Sequence, residues 1–345
     1  MTDSVTAQQL WFTRPGDAEI RECQLPWPRG DEVLVKVERS AVSAGTELLV
    51  YRGQIPDDMA LDASIDGLRD ATTYPLRYGY ACVGQVIALG ETADSSWLGK
   101  RVFAFAPHAS HVVCSANTLL AIPDNVDNDD ALFFANMETA VNLVQDGAPR
   151  LGENILVIGQ GIVGLLLAKL LAAFALTPLA VVDQSAARRA FARQQNLAVF
   201  DLQSDQDHAT LRQRLSSQNA FNGADLIFEV TGNPNALNLA IAFTGYASRI
   251  VIGSWYGNKT AAVALGAEAH RNRLQILTSQ VSTLAPELTG RWTKQRRADL
   301  AWAALHQIKP RNLITHRIAF NDAPTLYEQL HSAPDAIVQA VFVYP

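Results

Sequence analysis

The chain has 345 residues, 48% of them hydrophobic, and a formal net charge of −6 at pH 7. This length and apolar content suit two domains with separate hydrophobic cores. The negative balance and the lack of a long basic block argue against nucleic acid as a partner. The apolar runs are too short and too often interrupted for a membrane span. Residues 1–6 lack the basic and apolar parts of a signal peptide, so we expect a cytoplasmic protein.

The cysteines indicate neither a disulfide framework nor a structural zinc site. Cys23, Cys82 and Cys114 are widely spaced and odd in number. Three isolated thiols cannot form a four-thiolate zinc site, and an odd count does not suggest paired disulfides. We therefore expect free thiols in a reducing compartment.

The first third of the chain alternates with a period of two, which is typical of β-strands. We predict strands at residues 32–37, 83–89 and 99–105. From about residue 129 the period changes, and residues 131–144 predict a helix with Asp129 and Asp130 at its start. An acidic segment, residues 54–74, interrupts the β region, and we expect it to act as a lid.

Strand and helix patterns then alternate. Strands are predicted at residues 155–159, 179–183, 224–230, 249–252, 276–281 and 337–343. Helices are predicted at residues 186–195, 208–215, 234–242 and 297–307, and residues 327–330 belong to another. This order predicts an α/β fold with a doubly wound parallel sheet behind a mostly-β region.

A glycine motif follows the first strand of the alternating region. Residues 155–158 are apolar and mostly β-branched, and Gly159-Gln160-Gly161-Ile162-Val163-Gly164 comes next. Gly159 permits a sharp turn, Gly161 lets a pyrophosphate approach the backbone, and Gly164 lets the helix pack close to the sheet. Amide groups of Ile162 and Val163, at the positive end of the helix, favour phosphate charge. The motif predicts a dinucleotide site; the alternative is a glycine-rich turn that binds nothing.

An acidic residue closes the second strand of the same region. Asp183 is placed to accept hydrogen bonds from the adenine ribose hydroxyls, and its charge opposes the 2′-phosphate of NADP. Arg188 and Arg189 follow and offset part of that charge, although arginines on a helix surface are usually solvated. The sequence thus favours NAD and leaves NADP open. Small residues end two later strands and are expected to line the same crevice: Thr231, Gly232, Gly253 and Ser254.

Four stretches resemble motifs of the medium-chain dehydrogenase/reductase family, the zinc alcohol dehydrogenase relatives. They are residues 44–49 (AGTELL), 79–84 (GYACVG), 135–140 (ANMETA) and 313–320 (LITHRIAF). The resemblance implies a GroES-like, mostly-β catalytic domain at residues 1–136 and 280–345, with a Rossmann domain at residues 137–279. It also implies that Thr139 contributes to cofactor binding. Relatives commonly form homodimers through the last strand of the cofactor sheet, here residues 276–281.

The chain departs from the family at the positions of the zinc ligands. By resemblance, Ala44, Tyr80 and Ala135 occupy the places of the three ligands. A catalytic zinc takes about three N, S or O protein ligands, and these residues offer one phenol. His108 and His111 lie in a loop and are expected to be exposed rather than metal-bound. We therefore predict no metal, as in a zinc-free branch that includes a bacteriochlorophyllide hydroxyethyl dehydrogenase.

Without a metal, side-chain hydroxyls are candidates to stabilise a developing alkoxide. Tyr80 is the first and Thr46 the second, while Leu49 replaces the histidine through which relatives relay protons. Glu138 is a third candidate, as an acid or base or as a residue that orients Asn142. The alternatives are that Tyr80 fills volume, that Thr46 bonds only backbone or cofactor ribose, and that Glu138 pairs with an arginine such as Arg271 or Arg273.

These residues support three functions. The first is a zinc-independent, NAD(P)-dependent oxidoreductase that moves hydride between nicotinamide and a secondary alcohol or ketone. The second is an enone reductase of the quinone-reductase kind, which needs no metal. The third is a non-catalytic NAD(P)H sensor or scaffold. The expected ligands are a small-molecule substrate and a pyridine nucleotide.

Overall fold

The computed structural model describes residues 4–56, 60, 73–174, 179–216 and 222–345. The chain divides into two compact units, Met1–Ala135 with Leu305–Pro345, and Asn136–Ala304. The sequence placed the second boundary at residue 280, whereas the structure keeps residues 280–304 with the second unit. Arg297, within that stretch, is buried and donates to Asn142 and to the Thr283 carbonyl of the same unit.

The strands are numbered in chain order. They are β1 (Ser4–Arg14), β2 (Asp17–Pro26), β3 (Glu32–Ala41), β4 (Cys82–Leu89), β5 (Arg101–Ala104), β6 (His111–Ser115), β7 (Leu119–Ala121), β8 (Ile155–Ile158), β9 (Leu179–Val182), β10 (Val199–Phe200), β11 (Ala224–Glu229), β12 (Thr244–Ile252), β13 (Gln275–Thr278), β14 (His316–Ala319) and β15 (Ala340–Val343).

The helices are numbered in the same way. They are α1 (Ala44–Tyr51), α2 (Asn128–Ala131), α3 (Phe134–Gly147), α4 (Ile162–Ala172), α5 (Ala186–Gln194), α6 (Asp205–Ser216), α7 (Ala236–Ala242), α8 (Lys294–Ile308) and α9 (Ala323–Ser332).

The first unit is mostly β. A seven-stranded sheet runs in the order β14-β15-β3-β4-β5-β7, with β6 also paired to β3, and β1 and β2 form a separate antiparallel pair. Val33, Val35 and Val37 on the central strand β3 are buried, while Lys36 is exposed. Such β-branched residues favour a pleated surface covered on at least one face. The C-terminal strands β14 and β15 complete this sheet.

The second unit contains a six-stranded parallel sheet in the order β10-β9-β8-β11-β12-β13. Every residue of β8 is buried, as expected for a parallel strand covered on both faces. The order reverses between β8 and β11, and in such sheets ligands bind beyond the carboxyl ends of the strands at that point. The parallel sheet predicted from the alternating pattern is confirmed.

Several element predictions needed correction. Residues 131–144 do not form one helix: Asp127 caps the short α2, and α3 starts at Phe134. The predicted strand 276–281 ends at Thr278. The sequence did not reveal the β1–β2 pair or α1, which starts inside the stretch matched to a zinc motif. Most of the predicted lid at residues 54–74 lies outside the described residues.

Cys23, Cys82 and Cys114 are free cysteines. Within the described part of the chain, no helix is long and apolar enough to cross a membrane.

Candidate cofactor site and hydroxyl pair

The glycine turn joins β8 to α4. Gly159 has φ +103°, and a Cβ there would lie 2.8 Å from the carbonyl oxygen of Val230. A Cβ at Gly164 would lie 2.0 Å from the carbonyl oxygen of Gly159. Gly161 is the N-cap of α4, and a Cβ there would meet nothing within 4 Å. Two of the glycines are therefore required by the fold, while the third borders open space.

That open space lies at the start of α4. Ile162 and Val163 form the first turn, where helix N–H groups have no intrahelical acceptor. The positive end of the helix dipole adds to this donor surface. A pyrophosphate fits the arrangement because it supplies acceptors and negative charge, and because Gly161 leaves its approach clear.

Asp183 follows β9 and lies beside the glycine turn. One carboxylate oxygen accepts from the Gln160 amide at 2.7 Å, and the other accepts from the Ser185 amide at 2.8 Å. The half-buried carboxylate is thus held by two main-chain donors, and each oxygen retains acceptor capacity. This geometry suits a pair of ribose hydroxyls.

The two arginines after Asp183 differ. Arg189 is 8% exposed and donates to the carbonyls of Asp183 and Gln184 at 2.9 and 2.8 Å, and to Asp201 at 2.5 Å. Arg189 therefore stabilises the backbone after β9 and is not a solvated surface arginine. The half-buried Arg188 has its amide capped by the Ser185 hydroxyl at 3.3 Å.

The loops after β11 and β12 are bonded to each other. Glu229 is fully buried and accepts from the amide and hydroxyl of Thr231 and from the Tyr256 hydroxyl. The Gly232 amide donates to the Ser254 hydroxyl at 2.8 Å. Burial, with Glu229 next in importance, raises the pKa of Tyr256 well above its ordinary value. Sequence reasoning named Thr231, Gly232 and Ser254 but missed the carboxylate that organises them.

Gly253, which the sequence also assigned to this crevice, packs tightly. A Cβ there would lie 2.7 Å from a methyl group of Leu143 on α3 and 3.0 Å from one of Val230. The position therefore has a packing reason to be glycine. That reason holds whether or not the residue touches the cofactor.

On α3, Glu138 has an ion-pair partner that the sequence did not suggest. Arg297 bonds to it at 3.1 Å, so the expected Arg271 and Arg273 are not its partners. Arg297 is 1% exposed and also donates to Asn142 at 2.6 Å and to the carbonyls of Thr283 and Val281. Burial raises the pKa of Glu138, and Arg297 opposes that rise. Thr139 lies in the same turn of α3.

Arg297 and its neighbour Arg296 on α8 have different environments. Arg297 is buried, whereas Arg296 remains exposed and lies over the Trp292 ring at 4.2 Å. The sequence signal that separates the two arginines is the helical period of α8. Arg297, Ala301 and Leu305 are spaced by four residues and are all buried.

The first unit brings together the two hydroxyl candidates. Tyr80 donates to Thr46 with 3.5 Å between their oxygens. Thr46 is half-buried in the first turn of α1, and the half-buried Tyr80 packs edge-on to Tyr78 with 6.0 Å between ring centroids. Leu49, at the position of the relay histidine in relatives, is buried.

The residues at the zinc-ligand positions offer few donors. Ala44 and Ala135 carry methyl groups, and Tyr80 carries a phenol. Across the ranges that the structure describes, no group of three or more His, Cys, Asp or Glu side chains has the arrangement of a metal site. This donor set does not fit a zinc ion, which takes thiolate, imidazole or carboxylate ligands.

We expected His108 to be an exposed loop residue, and that prediction is wrong. His108 is fully buried, with Nδ1 2.7 Å from the Ser40 hydroxyl and Nε2 3.1 Å from Glu47. Glu47 is also fully buried. The one sequence signal for this pair was Glu47 itself, a carboxylate four residues after Ser43. His111 is half-buried and contacts Ser110.

Comparison with known proteins places these features in context. No family model matches the chain. D-guloside 3-dehydrogenase of Escherichia coli K12 is 23% identical over 336 residues, or 93% of this chain and 95% of that protein. 2-desacetyl-2-hydroxyethyl bacteriochlorophyllide A dehydrogenase of Cereibacter sphaeroides is 26% identical over 342 residues, 94% of each chain.

Solved structures show the same architecture. An alcohol dehydrogenase from E. coli CFT073, complexed with NADH, has a TM-score of 0.76 and 19% identity over 98% of this chain and 99% of that one. A dehydrogenase from Sinorhizobium meliloti 1021, bound to NADP, has a TM-score of 0.75 and 17% identity with the same coverage. The resemblance to the medium-chain dehydrogenase/reductase family is confirmed, and so is its fold of a GroES-like unit and a Rossmann unit.

Proposed function

We propose that this chain is a zinc-independent, NAD(P)-dependent oxidoreductase that transfers hydride between nicotinamide and a secondary alcohol or ketone. The observation that carries the proposal is the glycine turn, with open space at Gly161 beside the clamped Asp183 carboxylate. Redox chemistry is supported by the relatives of this chain, which include a D-guloside 3-dehydrogenase and an (R,R)-butanediol dehydrogenase.

The cofactor half of the proposal uses residues of the second unit. Gly161, Ile162 and Val163 receive the pyrophosphate, and Asp183 receives the adenine ribose hydroxyls. The loops that Glu229 holds, with Thr231 and Ser254, continue the same crevice. Asp183 favours NAD because its carboxylate lies where NADP carries a phosphate. One structural neighbour holds NADH and another holds NADP.

The chemical half uses the hydroxyl pair of the first unit. The bound nicotinamide supplies or accepts the hydride. During ketone reduction, Tyr80 donates a hydrogen bond to the substrate oxygen and so stabilises the charge that develops there. Tyr80 has one hydroxyl proton, which now points to the Thr46 oxygen. On substrate binding the phenol turns this proton to the substrate oxygen and accepts a hydrogen bond from the Thr46 hydroxyl, which thereby positions it. Glu138 is held in its ion pair with Arg297, which favours an orienting role over proton transfer.

Metal analysis and a substrate panel test the proposal. Protein purified without chelators should contain far less than one zinc per chain and should oxidise glycosides or secondary diols with NAD. Stoichiometric, tightly bound zinc would refute zinc independence. Reduction of enones without any turnover of ketones would show double-bond reduction instead. Cofactor binding with no turnover across both panels would show a sensor or scaffold.

Replacement of Tyr80 by Phe tests the hydroxyl chemistry. Loss of one preorganised donor to a developing oxyanion typically lowers kcat by about 10²–10³-fold. The expected result is a fall of that order in kcat with NADH affinity within about twofold of wild type, because Tyr80 belongs to the first unit. Thr46→Val, which removes the acceptor, should have a smaller effect. Unchanged turnover in Tyr80→Phe would remove the phenol from the mechanism.

We also propose a homodimer that pairs through β13. This strand is an edge of the six-stranded sheet, and Ile276 on it is 39% exposed. An exposed apolar edge invites pairing with a second strand. Light scattering should give a dimer mass for wild type, and Ile276→Lys should shift the protein toward monomer. A monomeric wild type at micromolar concentration would contradict the proposal.

A further inference from the structure

A buried chain of polar side chains runs through the first unit, and none of its members is among the predicted site residues. We call it the Glu47–His108 network, and it consists of Tyr344, Ser40, His108, Glu47 and Tyr327. All five are 7% exposed or less. Polar groups at this depth are costly unless they are satisfied, so their retention calls for a physical reason.

The hydrogen bonds of the network meet at Glu47, which His108 and Tyr327 approach from either side. Three donors converge on Glu47: the Ser43 amide at 2.7 Å, His108 Nε2 at 3.1 Å and the Tyr327 hydroxyl. With that proton on Nε2, His108 Nδ1 accepts from Ser40, whose oxygen accepts from Tyr344. A neutral imidazole therefore satisfies every link.

Within the network, Glu47 holds the turn that carries Thr46. The Glu47 side chain folds back over the start of α1 to bond the Ser43 amide. The Ser43 carbonyl in turn accepts from the amides of Thr46 and Glu47 at 3.0 and 2.9 Å. The Ser43 hydroxyl makes no capping bond, so the Glu47 carboxylate is the side chain that ties the Ser43 amide to the first turn of the helix. The position of the Thr46 hydroxyl therefore depends on the position of Glu47.

His108, the partner of Glu47 in the network, holds the backbone segment that carries Tyr80. The His108 ring lies against Gly79, where a Cβ would be 2.8 Å from its Cδ2 and 2.9 Å from its Nε2. Gly79 has φ +121°, which favours glycine, so the ring and the backbone fit each other closely. The His108 amide also donates to the Tyr78 carbonyl at 3.4 Å. Tyr80 thus follows a backbone segment that is packed on His108.

We infer that the Glu47–His108 pair positions the Tyr80 and Thr46 hydroxyls, because its single hydrogen bond joins the two backbone segments that present them. The inference rests on the proposed function for its catalytic meaning. Its geometric content, that the pair sets the separation of the two hydroxyls, stands independently. Glu47 and His108 are positioning residues, since neither is placed to touch the substrate.

Two substitutions at one position separate this role from general stability. In His108→Asn the amide oxygen can replace Nδ1 as the acceptor from Ser40, but the side chain is too short to donate to Glu47, whereas the longer side chain in His108→Gln can donate to Glu47. The expected result is a fall in kcat of about tenfold or more in His108→Asn, since small displacements of reacting groups are costly. NADH affinity should remain within about twofold, and His108→Gln should recover part of the loss. His111→Asn is the matched control.

Crystal structures of the two variants test the geometry without any assay. The distance from Tyr80 Oη to Thr46 Oγ1 should exceed 3.5 Å in His108→Asn and return toward that value in His108→Gln. An unchanged distance in His108→Asn overturns the inference, even if the substrate panel finds no activity. Equal losses of kcat in both variants also overturn it.

A second variant covers the case in which His108→Asn does not fold. Tyr327→Phe removes one donor to Glu47 without a change in ring volume, and it should lower kcat by a smaller factor while KM for cofactor stays constant. A wild-type kcat with an unchanged hydroxyl separation in Tyr327→Phe would contradict the inference. Failure of wild type to turn over any substrate is a failure of the proposed function alone.

Discussion

Asp183 shows what one residue in the cofactor site contributes. Its two oxygens accept from the Gln160 and Ser185 amides, so the carboxylate is held in place before any ligand arrives. Its type and its place after the second strand of the alternating region were evident from the sequence. Its main-chain partners were not, because they depend on how the glycine turn folds toward the next strand.

Replacement of Asp183 by Asn should change the choice of cofactor. The amide keeps the size of the side chain but removes its charge and can accept only one of the two main-chain bonds. Hydrogen bonds to a charged group contribute about 1.5–3 kcal/mol, so the NADH dissociation constant should rise about tenfold or more, with less effect on NADPH. Fluorescence titration with both nucleotides measures this, with Asp205→Asn as control. An unchanged ratio of the two affinities would contradict the assigned role.

Glu138 and Arg297 illustrate a pair that sequence reasoning resolved only in part. The sequence suggested that Glu138 pairs with an arginine, but the arginine that pairs with it lies 159 residues away on α8. Periodicity alone does not report such a long-range pairing. The basic neighbours of Arg297 in sequence suggest an exposed surface, whereas its position on α8 is buried.

Arg297→Met should destabilise the second unit more than Glu138→Gln does. Removal of one partner of a buried ion pair typically costs about 3–5 kcal/mol, because the other charge is left unpaired. Glu138→Gln keeps an acceptor for Arg297, so both the urea midpoint and kcat should change little. A fall in kcat of more than about 100-fold in Glu138→Gln, with NADH affinity intact, would instead identify Glu138 as the acid or base.

At the scale of elements, the β8–turn–α4 unit was the most predictable part of the chain. Its apolar strand, its three glycines and its apolar helix all agree, and the structure places each where the pattern indicated. Agreement between levels of this kind makes a local prediction reliable. The region around α1 was not predictable, since helix α1 is short and its first turn depends on the buried Glu47.

Two glycines of this element should respond in opposite ways to alanine. A Cβ at Gly164 would lie 2.0 Å from a backbone oxygen, so Gly164→Ala should cost several kcal/mol or prevent folding of the second unit. Gly161→Ala meets open space and has ordinary backbone angles, so the melting temperature should change by no more than about 2 °C. NADH affinity should nevertheless fall at least about tenfold in Gly161→Ala, because the methyl group occupies the phosphate approach. Similar melting temperatures for both variants would refute this assignment.

At the scale of the whole molecule, buried ionisable groups set the behaviour at high pH. Burial, followed by the nearby Glu47, raises the pKa of Tyr327, and burial also raises that of Tyr344, both well above the ordinary value. Burial raises the pKa of the Cys82 thiol to about 12. All three groups keep their protons in the folded chain at pH values where an unfolded chain loses them.

The stability of the protein should therefore fall as the pH rises above about 9, where the unfolded thiol begins to ionise, and more steeply above about 10, where unfolded tyrosines follow. Each group contributes a slope of up to about 1.4 kcal/mol per pH unit between its unfolded and folded pKa values. Urea unfolding at pH 8 and 10.5 measures the fall, and Tyr344→Phe should reduce it. An equal urea midpoint at both pH values would show that these groups are not buried as described.

The sequence by itself determined the class of fold, the parallel sheet and the residues of the glycine turn. These features are encoded by local periodicity and by residue types with few conformational alternatives, so they can be seen without long-range information. Only the tertiary structure revealed the buried His108, the partner of Glu138 and the clamp that Glu229 forms with Tyr256. Each of these pairs joins residues far apart in the chain, and burial makes the pairing necessary only after the chain has folded.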